Sequence, residues 1–332
     1  MSRYARQIIL PEIGRAGQDR IAAAHALVVG AGGLGAPVLQ YLAGAGIGCL
    51  TVVDPDCVER GNLHRQPLYG ERFVGAQKTA AAAAALRDLN PETRVHPLPW
   101  RLDPANAPAL VAAADLVLDC ADSFAASYTL SDACRDAGKP LVSASALGLG
   151  GYVGGFCGGA PSLRAVFPDL PARAATCATA GVLGPVVGLL GCLQAQMALA
   201  ILLGIAPSPL GQLVSFEGAG LRFGGFRFDG APEPALPRGF LAADAITPAD
   251  FVADLRGADE APVPAVPWAR RLAVAEFGPD GPIPAPGQRA ILACRSGLRA
   301  WQAADRLAAV WTGEIKLVAL GELEPDRQRE PA

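Results

Sequence analysis

The chain has 332 residues, of which 51% are apolar and 18% charged. That length supplies about two domains, each able to bury its own core, and a net charge of −3 gives no electrostatic basis for nucleic acid or an anionic membrane as partner. Eight cysteines without a CxxC pair, and an N-terminus without a basic-then-apolar export signal, point to reduced thiols and a cytoplasmic location.

Residues 2–26 carry Arg3, Tyr4, Arg6 and Gln7, then the run Ile8-Ile9-Leu10 and a helix-like stretch to about Ala26. Residues 27–35, Leu-Val-Val-Gly-Ala-Gly-Gly-Leu-Gly, read as a short apolar strand running into a glycine turn that opens a helix. Gly30, Gly32 and Gly35 fit G-x-G-x-x-G, in which the glycines permit a sharp turn, close approach of a phosphate and tight packing of helix on strand. The helix N-terminus then offers unpaired N–H groups to an anion. A second β-run, Cys49–Val53, ends at Asp54, about twenty residues on, where a carboxylate binds ribose hydroxyls in such folds.

The segment Asp56–Gln66 is polar and irregular, and Gly75-Ala76-Gln77-Lys78 leads into the alanine run 80–85. Alanine is the strongest helix former, so Lys78 starts a helix that stops before Asn90-Pro91. A lysine there opposes the helix dipole, and an anionic partner offsets that cost. A helix near Ala105–Ala114, a strand Leu116–Cys120, a helix Ala126–Ala137 and a strand Pro140–Ser143 extend the alternation of a doubly wound sheet. Asp122 falls just past the carboxyl end of a parallel strand, the rim where open α/β sheets bind ligands.

Glycines crowd 148–159, and no charged residue occurs from Ala174 to Phe216. Val182–Leu203 is long enough to span a membrane, but its glycines, Pro185, Gln194 and Gln196 favour a buried helix or subunit interface. Leu213–Phe228 alternates as antiparallel strands do. Residues 231–237 form a proline-marked linker, Ile246–Leu255 reads as helix and strand, 261–288 as loop, and Ala290–Ala293 as a strand ending at Cys294. An amphipathic helix follows Cys294–Arg299, so charge and dipole favour the Cys294 thiolate.

Arg3-Tyr4-x-Arg6-Gln7, Gly30–Gly35, Asp54-x-Asp56, Asn62-Leu63-x-Arg65-Gln66, Lys78 and Asp119-Cys120-x-Asp122 form an ordered set, extended by Thr176-Cys177, Gly181–Pro185 and Gln194-Ala195. Over residues 2–228 the set resembles the ThiF/MoeB adenylyltransferases, relatives of the ubiquitin-activating enzymes. Residues from about 240 to 322 resemble a rhodanese domain, with Cys294–Arg299 similar to its active-site loop. The resemblance implies an α/β fold: a Rossmann-like, doubly wound adenylating domain at 1–230 with a mostly parallel sheet and an antiparallel extension. A linker at 231–239 and a small α/β rhodanese-like domain at 240–332 complete it.

The implied activity is ATP-dependent adenylation of the C-terminal Gly-Gly of a ubiquitin-like sulfur carrier, with release of pyrophosphate. Residues matching the family's nucleotide site are Gly30, Gly32, Gly33, Gly35, Asp54, Asp56, Asn62, Arg65, Gln66 and Lys78. Asp54 would hold ribose, the backbone around Gly33 would approach the phosphates, and Arg65 and Lys78 would neutralise the charge developing there. Asp122 would hold Mg²⁺, and Arg6 would act across a homodimer in the partner's site. Cys294 matches the persulfide cysteine, so sulfur transfer to give a thiocarboxylate is implied. Cys177 matches a cysteine that bonds the carrier in some relatives, a role adenylation does not require.

Departures from the family pattern carry their own expectations. Ser162 and Ala165 stand where many relatives have the first of two zinc-binding CxxC pairs, no later pair appears, and no zinc site is expected. The second domain is short and proline-rich and lacks a closing glycine pair, leaving both an active sulfurtransferase and a degenerate docking module open. Two other functions fit fewer residues: an NAD-dependent oxidoreductase, resting on the glycine turn and Asp54, and a catalytically silent carrier-binding scaffold. The sequence names neither the carrier and its pathway nor the sulfur donor.

Overall fold

A computed structural model describes residues 3–170, 181–235 and 238–321. The chain divides into two compact units, one gathering Met1–Asp122, Ala126–Pro168 and Ala175–Ala235, the other mainly Leu236–Ala332.

The first unit begins with helices α1 (Ala5–Ile8) and α2 (Gly14–Ala23) and then alternates strand and helix. Strands β1 (His25–Val29), β2 (Cys49–Val53), β3 (Arg94–Leu98), β4 (Leu116–Asp119) and β5 (Pro140–Leu147) are parallel. Strands β6 (Gly150–Cys157), β7 (Gln212–Glu217) and β8 (Arg222–Arg227) add antiparallel pairs, giving the order β3-β2-β1-β4-β5-β6-β7-β8. Strand order reverses between β1 and β4, the switch point at which such sheets open a crevice.

The central strands read as unbroken apolar runs because both faces are covered. Val28, Leu50, Leu116 and Leu118 pack on one face with helices α3 (Gly35–Ala45) and α4 (Lys78–Leu89). Leu27, Val29, Val53 and Val117 pack on the other with α5 (Ala107–Ala112) and α6 (Phe124–Ala137). The edge strand β3 carries Pro97, which has no N–H to offer an incoming strand.

The glycine-rich stretch 148–159 contains strand β6. Its glycines are needed for close approach: a Cβ at Gly151 would lie 2.1 Å from the Ser145 carbonyl oxygen of β5. A short helix α7 (Leu163–Val166) follows. The apolar segment is helix α8 (Gly184–Leu203), long and apolar enough to cross a membrane by length and composition, with 56% of its most apolar window buried. It packs so closely on α3 that a Cβ at Gly191 would lie 2.6 Å from the Leu34 carbonyl oxygen.

The second unit is a parallel four-stranded sheet in the order β10-β9-β11-β12, formed by β9 (Phe251–Asp254), β10 (Arg270–Arg271), β11 (Ala290–Cys294) and β12 (Ile315–Ala319). Helix α9 (Leu298–Ala308) covers it with Trp301, Ala304 and Leu307. The helix expected before β9 is absent. Asp250 Oδ2 instead accepts from the Thr247 N–H at 2.8 Å and its hydroxyl at 3.1 Å, closing a turn, and a 3₁₀ turn at Ala243–Ala245 precedes it.

Candidate functional site

The glycine turn leaves β1 at the switch point, and three of its glycines sit where no side chain fits. Gly30 has φ +96°, and a Cβ there would lie 2.5 Å from the Cys120 carbonyl oxygen. At Gly35 a Cβ would lie 2.0 Å from the Gly30 carbonyl oxygen, and at Gly33 one would lie 2.7 Å from Val187 Cγ1. Gly32 is roomier, its nearest neighbour being Gln66 Nε2 at 3.6 Å. The turn is thus braced from behind, with bare backbone and the α3 N-terminus on its open side, a form that suits phosphate.

Asp54 leaves the end of β2 and is buried. Its Oδ2 accepts the Ala31 N–H at 2.7 Å and its Oδ1 the Asp56 N–H at 2.9 Å. Burial pushes its carboxyl up, against the opposing pull of Lys78 and of these two N–H donors. Lys78, at the start of α4, is also buried; its Nζ donates to Asp56 Oδ2 at 2.8 Å and lies 4.0 Å from Asp54 Oδ1. Burial alone would lower the ammonium's pKa, but the carboxylates of Asp54, Asp56 and Asp122 hold it above the ordinary lysine range. A cation kept charged beside a bare glycine turn is a phosphate-binding arrangement.

Residues 60–66 form the facing wall. A 3₁₀ turn at Arg60–Asn62 presents Arg65, whose guanidinium donates to Asn62 Oδ1 at 2.7 Å and to the Gly61 carbonyl at 3.2 Å. Asn62 Nδ2 in turn donates to Glu59 Oε2 at 3.0 Å. Gln66 is buried, its Nε2 lying against Gly32 of the turn and its Oε1 lacking a hydrogen-bond partner. The α8 N-terminus closes this side, since a Cβ at Gly184 would lie 2.5 Å from the His64 carbonyl oxygen.

Asp122 is exposed just beyond β4, near enough for its charge to act on Lys78. Among the described residues no group of three His, Cys, Asp or Glu side chains could hold a metal by itself. One hard carboxylate beside a phosphate cradle instead fits Mg²⁺, which takes one or two carboxylates and completes its shell with phosphate oxygens and water. The braced glycine turn and the charged Lys78 fit a nucleotide. At the positions matching the first zinc pair, Ser162 caps α7 and its N–H and hydroxyl donate to the two Glu233 carboxylate oxygens at 2.6 Å each, while Ala165 lies within the helix.

The structure brings together Gly30, Gly32, Gly33, Gly35, Asp54, Asp56, Asn62, Arg65, Gln66, Lys78 and Asp122. Arg6 is apart from them, exposed on α1. Cys177 lies outside the described residues. Residues to which the sequence alone assigns no role include Tyr69, whose hydroxyl donates to the Ala31 carbonyl at 2.8 Å and whose pKa burial raises, and Asp119, fully buried at the end of β4. A charged residue at the end of an apolar strand was the available signal for Asp119.

Cys294 ends β11 in the second unit and is fully buried. Its Sγ accepts the N–H groups of Gly297 at 3.1 Å and Ala300 at 3.4 Å, so the loop cradles the sulfur. The Arg299 guanidinium forms two hydrogen bonds with Glu260, at 2.7 and 2.5 Å, and a third with the Leu255 carbonyl at 2.9 Å. That pairing holds the Glu260 carboxyl below its usual range and raises Arg299, with the neighbouring Cys294 adding to the latter. Burial alone would raise Asp254, but hydrogen bonds from Arg256 and from the Ala265 N–H keep it low. Asp254, Arg256 and Glu260 went unassigned in the sequence, although an Asp-x-Arg directly after a β-run marks them.

Residues 4–236 match the ThiF family. The bovine adenylyltransferase and sulfurtransferase MOCS3 is 51% identical over 218 residues, covering 65% of this chain and 48% of that protein. The SAMP-activating enzyme E1 of Haloferax volcanii is 41% identical over 225 residues, covering 67% of this chain and 83% of that protein. The crystal structure of E. coli MccB with ATP has a TM-score of 0.61 at 22% identity, covering 71% of this chain and 73% of that one, a likeness of fold. The chain spans about half the length of the MOCS3 relatives it matches.

Proposed function

The chain belongs to the ThiF family, and on that premise we propose that it adenylates the C-terminal Gly-Gly carboxylate of a ubiquitin-like sulfur carrier at the expense of ATP. The observation that carries this reading is buried Lys78, held by Asp56 and facing Asp54 beside the braced glycine turn. Asp54 and the turn hold the ribose and phosphates in register. Arg65 and Lys78 stabilise the charge that builds as the carrier carboxylate attacks the α-phosphorus and pyrophosphate leaves. Asp122 would hold Mg²⁺, which would supply charge neutralisation on the phosphate oxygens. No zinc takes part. The names of the relatives, a sulfurtransferase and a SAMP-activating enzyme, support a carrier of this class.

The reading includes a homodimer in which Arg6 serves the partner's site. Arg3 donates to the Leu89 carbonyl and Gln7 to the Ala45 carbonyl, so the segment bearing Arg6 rests on the carboxyl ends of α4 and α3. The amino ends of those helices flank the cradle, about 16–18 Å away by their length. Arg6 is therefore aimed elsewhere than its own nucleotide, and exposed Ile9 and Leu10 beside it suit a second copy.

In the second unit, the Cys294 thiolate takes sulfane sulfur from a donor persulfide, whose own sulfur leaves as a thiolate. The terminal sulfur then attacks the acyl adenylate and AMP departs; a thiol then attacks Cys294 Sγ of the acyl disulfide, releasing the thiocarboxylate and leaving a disulfide to Cys294 that a second thiol reduces. The work is done in the cytoplasm, where thiols stay reduced.

ATP–pyrophosphate exchange against a panel of Gly-Gly-ended carriers tests the adenylation reading. Exchange with one carrier, lost in Lys78→Met, supports it; tight ATP binding with no exchange for any carrier overturns it in favour of a silent scaffold.

A further inference from the structure

Asp119 ends β4, one of the two strands between which the crevice opens, and its side chain is fully buried. Its Oδ2 accepts the Ser143 hydroxyl of β5 at 2.7 Å, and its Oδ1 accepts the Ala121 N–H at 3.2 Å. Ser127 of α6 also hydrogen-bonds the carboxylate. The main chain at the same place is gripped from the opposite face of the sheet. Gln194 of α8, fully buried, donates through Nε2 to the Asp119 carbonyl at 2.7 Å and the Val142 carbonyl at 2.9 Å, and its Oε1 accepts the Cys120 thiol at 3.4 Å.

The parallel ladder of β1, β4 and β5 requires none of these side chains, since its bonds are between main chains. An apolar residue at 119 would avoid the cost of burying a carboxylate, which is steep without partners. Yet two fully buried polar side chains, on β4 and α8, converge on residues 119–121. Directly beyond that clamp stands Asp122, which is exposed.

We propose that Asp119, braced by Ser143 and with Gln194 holding its main chain, is the positioning residue for the metal-binding carboxylate: it sets where Asp122 stands and so how strongly metal and nucleotide bind together. The inference rests on the proposed nucleotide site. Partners that orient a metal ligand commonly govern affinity as much as the ligand does, with losses of about 10- to 100-fold when removed.

The test is nucleotide binding to the full-length protein by calorimetry, as a function of Mg²⁺, for wild type, Asp119→Asn and Ser143→Ala, with Ser143→Thr as the conservative control. The expected result is a rise of about 10-fold in the Mg²⁺ concentration giving half-maximal ATP affinity for Asp119→Asn and a smaller rise for Ser143→Ala. Metal-free ATP binding should stay unchanged, and Ser143→Thr should match wild type. Wild-type Mg²⁺ dependence in both variants, even with lowered melting temperatures, would overturn the inference and leave Asp119 a purely structural group. Should Asp119→Asn fail to fold, Ser143→Ala alone decides between these results. Wild-type protein that binds no ATP, or binds it without regard to Mg²⁺, would instead remove the nucleotide-site reading.

Discussion

Asp54 and Ala31 are joined by a 2.7 Å hydrogen bond, the carboxylate that ends β2 accepting the main-chain N–H of the turn that ends β1. The bond fixes the turn before any nucleotide arrives. The other carboxylate oxygen, Oδ1, accepts the Asp56 N–H at 2.9 Å and lies 4.0 Å from Lys78 Nζ.

Asp54→Ala should therefore disturb both the turn and the cation. The buried Ala31 N–H loses its charged acceptor, an interaction worth about 1.5–3 kcal/mol, and Lys78 loses a neighbouring anion. ATP affinity measured by calorimetry should fall by about 10- to 100-fold, with Asp54→Asn falling less because an acceptor remains. Unchanged affinity in Asp54→Ala would show that the turn holds its shape unaided.

Lys78→Met should reduce pyrophosphate exchange by about 10²- to 10³-fold, the range seen when one preorganised stabilising group is removed. The acidic neighbours keep this lysine protonated above the ordinary lysine range. Stability from its raised pKa is thus complete below 10.5 and lost only as pH rises past the folded value. An alkaline limb of the wild-type rate profile below that pH would have to come from another group.

The order of strands and helices around the cradle was legible because apolar runs, glycine turn and alanine helix each obey a local rule. Gly30, Asp54 and Lys78 stood out for the same reason. Strand β3 did not, since Arg94, His96 and Pro97 belong to an exposed edge and show no apolar pattern. Strand β6 was hidden because its glycines, chosen for close approach to β5, carry no β signal. The turn before β9 reads as helix in the sequence, but the carboxylate of Asp250 takes the bonds that a helix would need. Asp119 and Gln194 meet from residues far apart in the chain, a pairing that no local pattern announces.

Asp119 should leave a mark on stability against pH. Burial pushes its carboxyl from 3.8 up to about 6, so across that window the native protein binds more protons than the unfolded chain. Its contribution is then greatest below 3.8 and declines as pH rises through about 6, by about 3 kcal/mol in all. Urea titrations at stepped pH should show that decline in wild type and lack it in Asp119→Asn; parallel curves would mean that Asp119 keeps an ordinary pKa.

The Ser162–Glu233 contact ties α7 to the residues following β8 without a metal. Glu233→Gln replaces two charge-assisted bonds by weaker neutral ones and should cost about 1–2 kcal/mol in urea unfolding. Chelation should separate the metal's roles: excess EDTA abolishes pyrophosphate exchange, added Mg²⁺ restores it, and the melting temperature does not move. A melting temperature that falls with EDTA and recovers only with zinc would contradict the zinc-free reading.

Glu260 holds the guanidinium of Arg299 with two hydrogen bonds beside the buried sulfur of Cys294. Cys294→Ser should abolish transfer of sulfane sulfur to cyanide while leaving pyrophosphate exchange intact, because the nucleotide residues all lie in the first unit. Glu260→Gln keeps the shape but removes the charge that orients Arg299. Its cyanide reaction should fall by about 10-fold or more, on the scale of one charge-assisted pair. If wild-type protein transfers no sulfane sulfur to cyanide, the second unit is a docking module, and Arg299–Glu260 is only a structural tie.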